Sequence, residues 1–229
     1  MNEDGNPEVL ELLPPATAPE IVDLEQRLPG RIPHEIREGL AVSAGFANGP
    51  LESWSLLGLD GGFGLEDVFP AAHSIAHDGY GNYWVLDLRP ETVTWGPVYY
   101  ACHDPPVIVY QASSVEEFLL QTVQLWESGA RSAVDAVHED AVSVIWKHNP
   151  GLIRQVEAAR SPDPALRGFA SELAPEFMIA DLRAAKIGHG FSWGRFGPTT
   201  KWRHHSSLPI WAVGKPSTSS RVRAWLFGC

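Results

Sequence analysis

The chain has 229 residues, 44% of them hydrophobic, with nine tryptophans and two cysteines; this is the composition of a folded core, not of a disordered or disulfide-stapled chain. Its formal charge of −11 is unevenly placed: Met1 to Asp181 holds all 28 acidic residues against nine Lys and Arg, formally −19, while Leu182 to Cys229 has eight basic residues and no acid. That acidic body disfavours nucleic acid and favours a basic protein partner through electrostatic steering. No apolar run approaches the roughly 20 residues of a membrane span, and no basic, apolar leader is visible, so a reducing cytoplasm is the expected location.

Met1 to Glu11 is polar and expected to fray. Thr17-Ala18-Pro19-Glu20 is a capping box, in which the Thr side chain and the Glu side chain each satisfy an amide that the helix leaves unpaired. Ile21, Leu24 and Leu28 follow at helical spacing until Pro29-Gly30. A second helix starts at Ile32-Pro33, turns Ile36 and Leu40 inward and is expected to end at Gly45. Leu51 to Leu59 reads as a strand with Trp54 as a large core residue, Asp60 to Gly64 as a turn, and Glu66 to Phe69 as a short helical turn. No Gly-Lys-Ser/Thr follows the glycines of that turn, so it is not a phosphate loop.

The centre of the chain is Ile75 to Asp104. Asp78-Gly79-Tyr80-Gly81-Asn82 is a turn whose glycines can take positive φ. Tyr83 to Leu88, Val93 to Cys102 and Val107 to Tyr110 are strand-like runs separated by turn residues, which predicts an antiparallel meander. Ser113 and Ser114 cap the next helix, with Val115, Phe118, Leu119, Thr122, Leu125 and Trp126 inward and Gly129 as its C-cap. Val134, Val137, Ala141, Val144 and Ile145 predict a further amphipathic helix stopped by Asn149-Pro150. Leu152 to Ala159 and Pro164 to Leu173 read as two short helices, the latter capped by Asp163. Lys201 to Arg203, Ile210 to Val213 and Val222 to Phe227 are candidate strands between turns at Gly197-Pro198 and Gly214 to Pro216.

The ordered series Asp78, Gly79, Gly81, Asn82, Leu86, Asp87, His103, Asp104, Phe118 and Leu119 resembles the SUKH superfamily, which holds the fungal Smi/Knr-type cell-wall regulators and many bacterial immunity proteins. Leu24-Glu25, Leu28, Ile32-Pro33, Leu40 and Asn48-Gly49 resemble that family's N-terminal helical pair. The resemblance covers roughly Leu12 to Gly129. It implies an α+β fold: a twisted, mainly antiparallel sheet with helices packed on it. Residues 130–229 then form a C-terminal α/β extension, packed on the first unit.

Candidate chemistry is sparse. Gly190-Phe191-Ser192-Trp193-Gly194 matches the nucleophile-elbow string, but Gly197-Pro198 argues against the helix that must follow, and no acid lies downstream for a triad. His204 or His205 would have to supply the base. His73 and His77 have a metal-like spacing only if helical, and their segment leads into a strand and turn. His103 and Asp104, adjacent at a strand end, point to opposite faces and do not pair. The Asp78 turn lacks the alternating acids and closing Glu of a calcium loop.

No catalytic residue, metal or cofactor is expected. The function the resemblance implies is a non-enzymatic protein-binding module, foremost an immunity protein that neutralises a cognate toxin, such as a basic nuclease. A regulatory or scaffold protein of the Smi/Knr type is the second reading and a hydrolase using Ser192 a remote third. The expected interface is acidic, with Glu66, Asp67, Asp78, Asp87 and Asp104, and Trp54 or Tyr80 as anchors; Gly79, Gly81, Asn82 and His103 are expected to fix the fold. The basic C-terminal stretch, Arg183 to Arg223, packs on the acidic body or contacts nucleic acid weakly.

Overall fold

The computed structural model describes residues 10–47, 51–60, 64–90, 94–128, 132–194 and 200–214. Two antiparallel sheets, each with helices packed on one face, make up this part of the chain, and the fold class is α+β. The larger sheet begins with β1 (Glu11–Leu12), β2 (Gly45–Ala47) and β3 (Ser53–Ser55). It continues through β4 (Ala72–His77), β5 (Tyr83–Asp87), β6 (Val98–His103) and β7 (Pro106–Ala112) in sequence order. The predicted meander is therefore present, and it extends four strands further towards the N-terminal side than the central runs suggested.

Between β1 and β2 lie α1 (Ala18–Arg27) and α2 (His34–Val42). The capping box forms as the residue types require: the Glu20 amide donates to Thr17 Oγ1 at 3.4 Å and the Thr17 amide to Glu20 Oε2 at 2.7 Å. Gly45 does not end α2, which stops at Val42; Gly45 opens β2, where a Cβ would lie 2.0 Å from the Trp54 carbonyl oxygen. The short α3 (Leu65–Val68) precedes β4. After β7, α4 (Val115–Ser128) is followed by α5 (Ala133–Asp135), a π-helical turn at Ala136–Ala141 and α6 (Val142–His148). The wide turn carries one extra residue, so the inward stripe changes phase: Val142 and Ile145 are buried while Val144 is half exposed.

Strand alternation sorts the side chains of the meander onto two cores. Trp84, Leu86, Val98, Tyr100, Val107 and Val109 face the helices and pack with Leu24, Leu40, Phe118, Val137 and Ile145. Val85, Tyr99, Ala101 and Ile108 face the other way. Every residue of β6 from Val98 to Cys102 is buried, which requires cover on both faces. The second cover is a four-stranded sheet in the order β11 (Lys201–His204), β12 (Ile210–Gly214), β9 (Met178–Asp181) and β8 (Leu152–Arg154). Trp211 of β12, Tyr99 of β6 and Phe69 form a triangle of ring contacts at 5.5–5.8 Å, and the Trp211 indole donates to the Val68 carbonyl at 2.7 Å.

Two strands depart from the sequence expectation. Leu152 to Arg154 pairs with β9 as β8, and only Gln155–Ala158 (α7) is helical there. Gly190–Ser192 forms β10, which pairs with β7 and so adds an edge strand to the larger sheet. The chain after residue 131 thus builds part of the first sheet as well as the second. Helix α8 (Pro164–Ser171) does start as predicted, with the Leu166 amide donating to Asp163 Oδ1 at 2.7 Å. The readings placed on Met1 to Val9, Gly129, Gly197-Pro198, Lys215-Pro216 and Val222 to Phe227 lie outside the described residues.

Candidate partner-binding face

Asp78 stands where β4 turns into β5. Its Oδ1 accepts from the Tyr80 amide at 2.9 Å and the Asn82 amide at 3.2 Å, which closes the turn on itself. Its Oδ2 accepts from Asn82 Nδ2 at 2.6 Å and from the Tyr100 hydroxyl at 3.4 Å, and lies 3.4 Å from His138 Nε2 on the π-helical turn. Burial alone would raise the carboxyl pKa; the donors from Asn82 and Tyr80, with the adjacent His138, outweigh it and hold the group below its ordinary range. The Asp78 side chain is only 7% exposed. It is a hub joining turn, sheet and helical layer, so a partner cannot reach its carboxylate as an acidic contact.

Asn82 carries the hub to the neighbouring hairpin. Its Oδ1 accepts from the His103 amide at 3.1 Å and lies 2.8 Å from His103 Nδ1. Gly79 and Gly81 both have positive φ, and a Cβ on Gly81 would sit 3.3 Å from the His103 ring. The β4–β5 and β6–β7 turns are therefore locked side by side at one end of the sheet. Exposed on that end are Tyr80, at 82%, together with His103, Asp104 and Glu52, which lies against Gly79. Trp146 of α6, 41% exposed, extends the same end: it packs over Gly194 and Pro106. Sequence periodicity missed Trp146 because the π-helical turn sets its face.

The other expected interface residues lie elsewhere. Trp54 is 3% exposed and stacked on Phe46 at 5.5 Å, so it is core and no docking anchor. Asp87 ends β5 at the opposite end of the strand from the Asp78 turn, about 13 Å away at strand rise. Its carboxylate is 6% exposed and paired with Arg89, whose Nη1 also donates to the carbonyls of His205 and Leu208 at 2.6 and 2.9 Å. Arg89 and Asp87 tie the meander to the loop before β12, which removes Asp87 from any surface. Glu66 and Asp67 are exposed on α3, near that same far end. One continuous acidic patch through all these residues does not exist, because the strand directions place them at two ends.

The remaining chemical candidates resolve as structural groups. Ser192 lies within β10, 1% exposed; its hydroxyl donates to the Pro106 carbonyl at 2.8 Å, and its backbone is bracketed by the Asn149 carboxamide at 2.9 and 2.7 Å. The Ser is thus in a strand, not on a strained turn after one. His204 is committed to the Asp67 carbonyl at 3.0 Å. A bulge between Ser74 and Ala76 places His73 opposite Leu86 and His77 opposite Tyr83, on the two different faces of the sheet. They cannot share a metal. His73 is buried against Trp95 with Nε2 3.1 Å from the Leu56 carbonyl, and burial drives its pKa down to about 4.

Residues 15–121 match the SMI1 / KNR4 family (SUKH-1). This part of the chain belongs to the SUKH superfamily, and every residue of the Asp78 hub except His138 falls within it. No curated protein and no solved structure matches the chain. No described helix is long and apolar enough to cross a membrane.

Proposed function

We propose that the chain is an immunity-type SUKH protein, which binds a cognate toxin and blocks it. The observation that carries this reading is the SUKH-1 match over residues 15–121, in a superfamily whose members serve in toxin immunity and Smi/Knr-type regulation. The charge of −11 supports a basic partner, since opposite potentials speed encounter and select against like-charged competitors. The docking face in this reading is the rigid turn end, with Tyr80 as aromatic anchor and Asp104 and Glu52 beside it. Its backbone is held by the Asp78–Asn82–His103 network, so little order has to be acquired on binding. The work is done by occlusion, in the cytoplasm, and needs no catalytic group. The basic stretch makes a poor nucleic-acid site at Arg183, which is already held by Asp181 and Asp163.

The test is affinity capture of the tagged chain from its native host, followed by co-expression of whatever basic protein binds stoichiometrically. Growth arrest by that protein alone, relieved by this chain, is the expected result. A set of housekeeping partners with no growth phenotype would instead favour the regulatory role of the Smi/Knr type.

A further inference from the structure

Helix α4 carries a second surface that the turn end does not use. Glu116, Leu120, Val123 and Glu127 are spaced i, i+4, i+7, i+11, which puts them on one stripe of the helix. Leu120 is 57% and Val123 44% exposed, and both glutamates are exposed. The stripe is apolar in the middle and acidic at both ends. Beside its first turn lies a groove of about 320 Å³ between α2 and α4, floored by Ile36, Leu56, Trp95 and Val115 and rimmed by Glu35 and Glu116. Among the described residues its lining includes no Lys or Arg.

Gly39 helps to keep that groove open. It sits inside α2, where glycine costs about 1 kcal/mol relative to alanine. Its φ is not positive, and a Cβ would meet only the Leu56 side chain, at 3.3 Å, so the local backbone does not demand a glycine. The larger cleft of about 580 Å³ between α1 and the start of β4 differs in kind. There the chain supplies its own cation: Arg27 pairs with Asp23 at 2.9 Å and donates to the Leu57 carbonyl at 3.1 Å.

We propose that the α2–α4 groove and the adjoining α4 stripe dock a basic amphipathic helix of the protein partner. Apolar residues of that helix cover Leu120 and Val123, one long side chain enters the groove over Ile36 and Leu56, and its Lys or Arg residues face Glu35, Glu116 and Glu127. The occupant follows from charge complementarity, because an apolar strip bounded by carboxylates repels an acidic helix and adds attraction for a basic one. This inference rests on the chain being a protein-binding module, and not on the partner being a toxin.

The probe is a synthetic 14-residue leucine–lysine amphipathic helical peptide, titrated into the full chain with labelled Ile, Leu and Val methyl groups and followed by NMR. The expected shift changes concentrate on Ile36, Leu56, Val115, Leu119, Leu120 and Val123, and a leucine–glutamate peptide produces none. The double variant Glu35→Lys/Glu116→Lys, and separately Leu120→Ser, weaken binding about tenfold, roughly 1.4 kcal/mol, with an unchanged far-UV spectrum. These positions are exposed, so each variant keeps its fold. Absence of binding, shifts centred on the Tyr80 end, or affinity indifferent to both variants overturns the proposal. If a toxin is captured equally well by the groove variants, the groove fails while the immunity reading stands; a peptide response lost in the variants with no toxin found is the reverse case.

Discussion

The Asn82 carboxamide oxygen accepts from the His103 amide at 3.1 Å and lies 2.8 Å from that residue's Nδ1, while the Asn82 nitrogen donates to Asp78 at 2.6 Å. One buried side chain thus couples two hairpin turns. Replacing Asn82 with Ala leaves the Asp78 carboxylate and the His103 amide short of partners. The expected loss is about 2 kcal/mol in urea unfolding. An unchanged midpoint would show that solvent replaces these bonds without cost.

His73 gives the chain an acid-sensitive core. Burial lowers its folded pKa to about 4, against the ordinary 6.5. Between those values the unfolded chain binds a proton that the folded chain refuses, so stability falls as pH drops from 6.5 to 4 and is retained above 6.5. The full contribution is about 3 kcal/mol. Unfolding free energies measured at pH 7.5 and 4.5 should differ in this direction, and His73→Gln should flatten that part of the profile.

A ladder of buried amides joins the sheet to the helices. Trp84 Nε1 donates to Gln111 Oε1 at 3.0 Å, and Gln111 Nε2 donates to Gln121 Oε1 at 2.6 Å. Gln111→Leu strands both neighbours and should cost about 2–4 kcal/mol. The double change Gln111→Leu/Gln121→Leu should cost less than the two single losses added together, because fewer groups are left unpaired. Full additivity in thermal melts would deny the coupling.

Exposure separates binding from stability at the turn end. Tyr80→Ala and Asp104→Lys should each leave stability within about 0.5 kcal/mol of the parent. Each should lower affinity for the captured partner, Tyr80→Ala by tenfold or more. Trp54→Ala should do the opposite, losing about 3–5 kcal/mol of stability through the cavity it opens beside Phe46. Calorimetric titration alongside melting curves distinguishes the two patterns.

Local signals were legible wherever the chain satisfies its own backbone. The Thr17 box, the Asp163 cap and the Asp78-to-Asn82 turn each close within a few residues, so residue type and spacing suffice to read them. The phase of the helix after Ala133 was not legible, since a π-helical turn moved Val144 out and Trp146 to the turn end. Nor was the short strand β10, whose partner β7 lies about 80 residues earlier in the chain.

The amino-acid sequence alone carried the resemblance to the SUKH superfamily over part of the chain, and the α+β class that this implies, in an ordered series of residue types; the meander and the acidic character of the body followed from turn chemistry and charge count, which are properties of the sequence itself. Tertiary structure decided which acids are accessible. Asp78 and Asp87 became internal ties, and Glu66 and Asp67 were carried to the end of the sheet away from Tyr80 and Asp104. It also brought β8, β9, β11 and β12 over the second face of the meander. The physical reason is that burial and the end of a sheet on which a residue falls depend on strand order and on what packs above each face, and both are set by contacts between residues far apart in the chain.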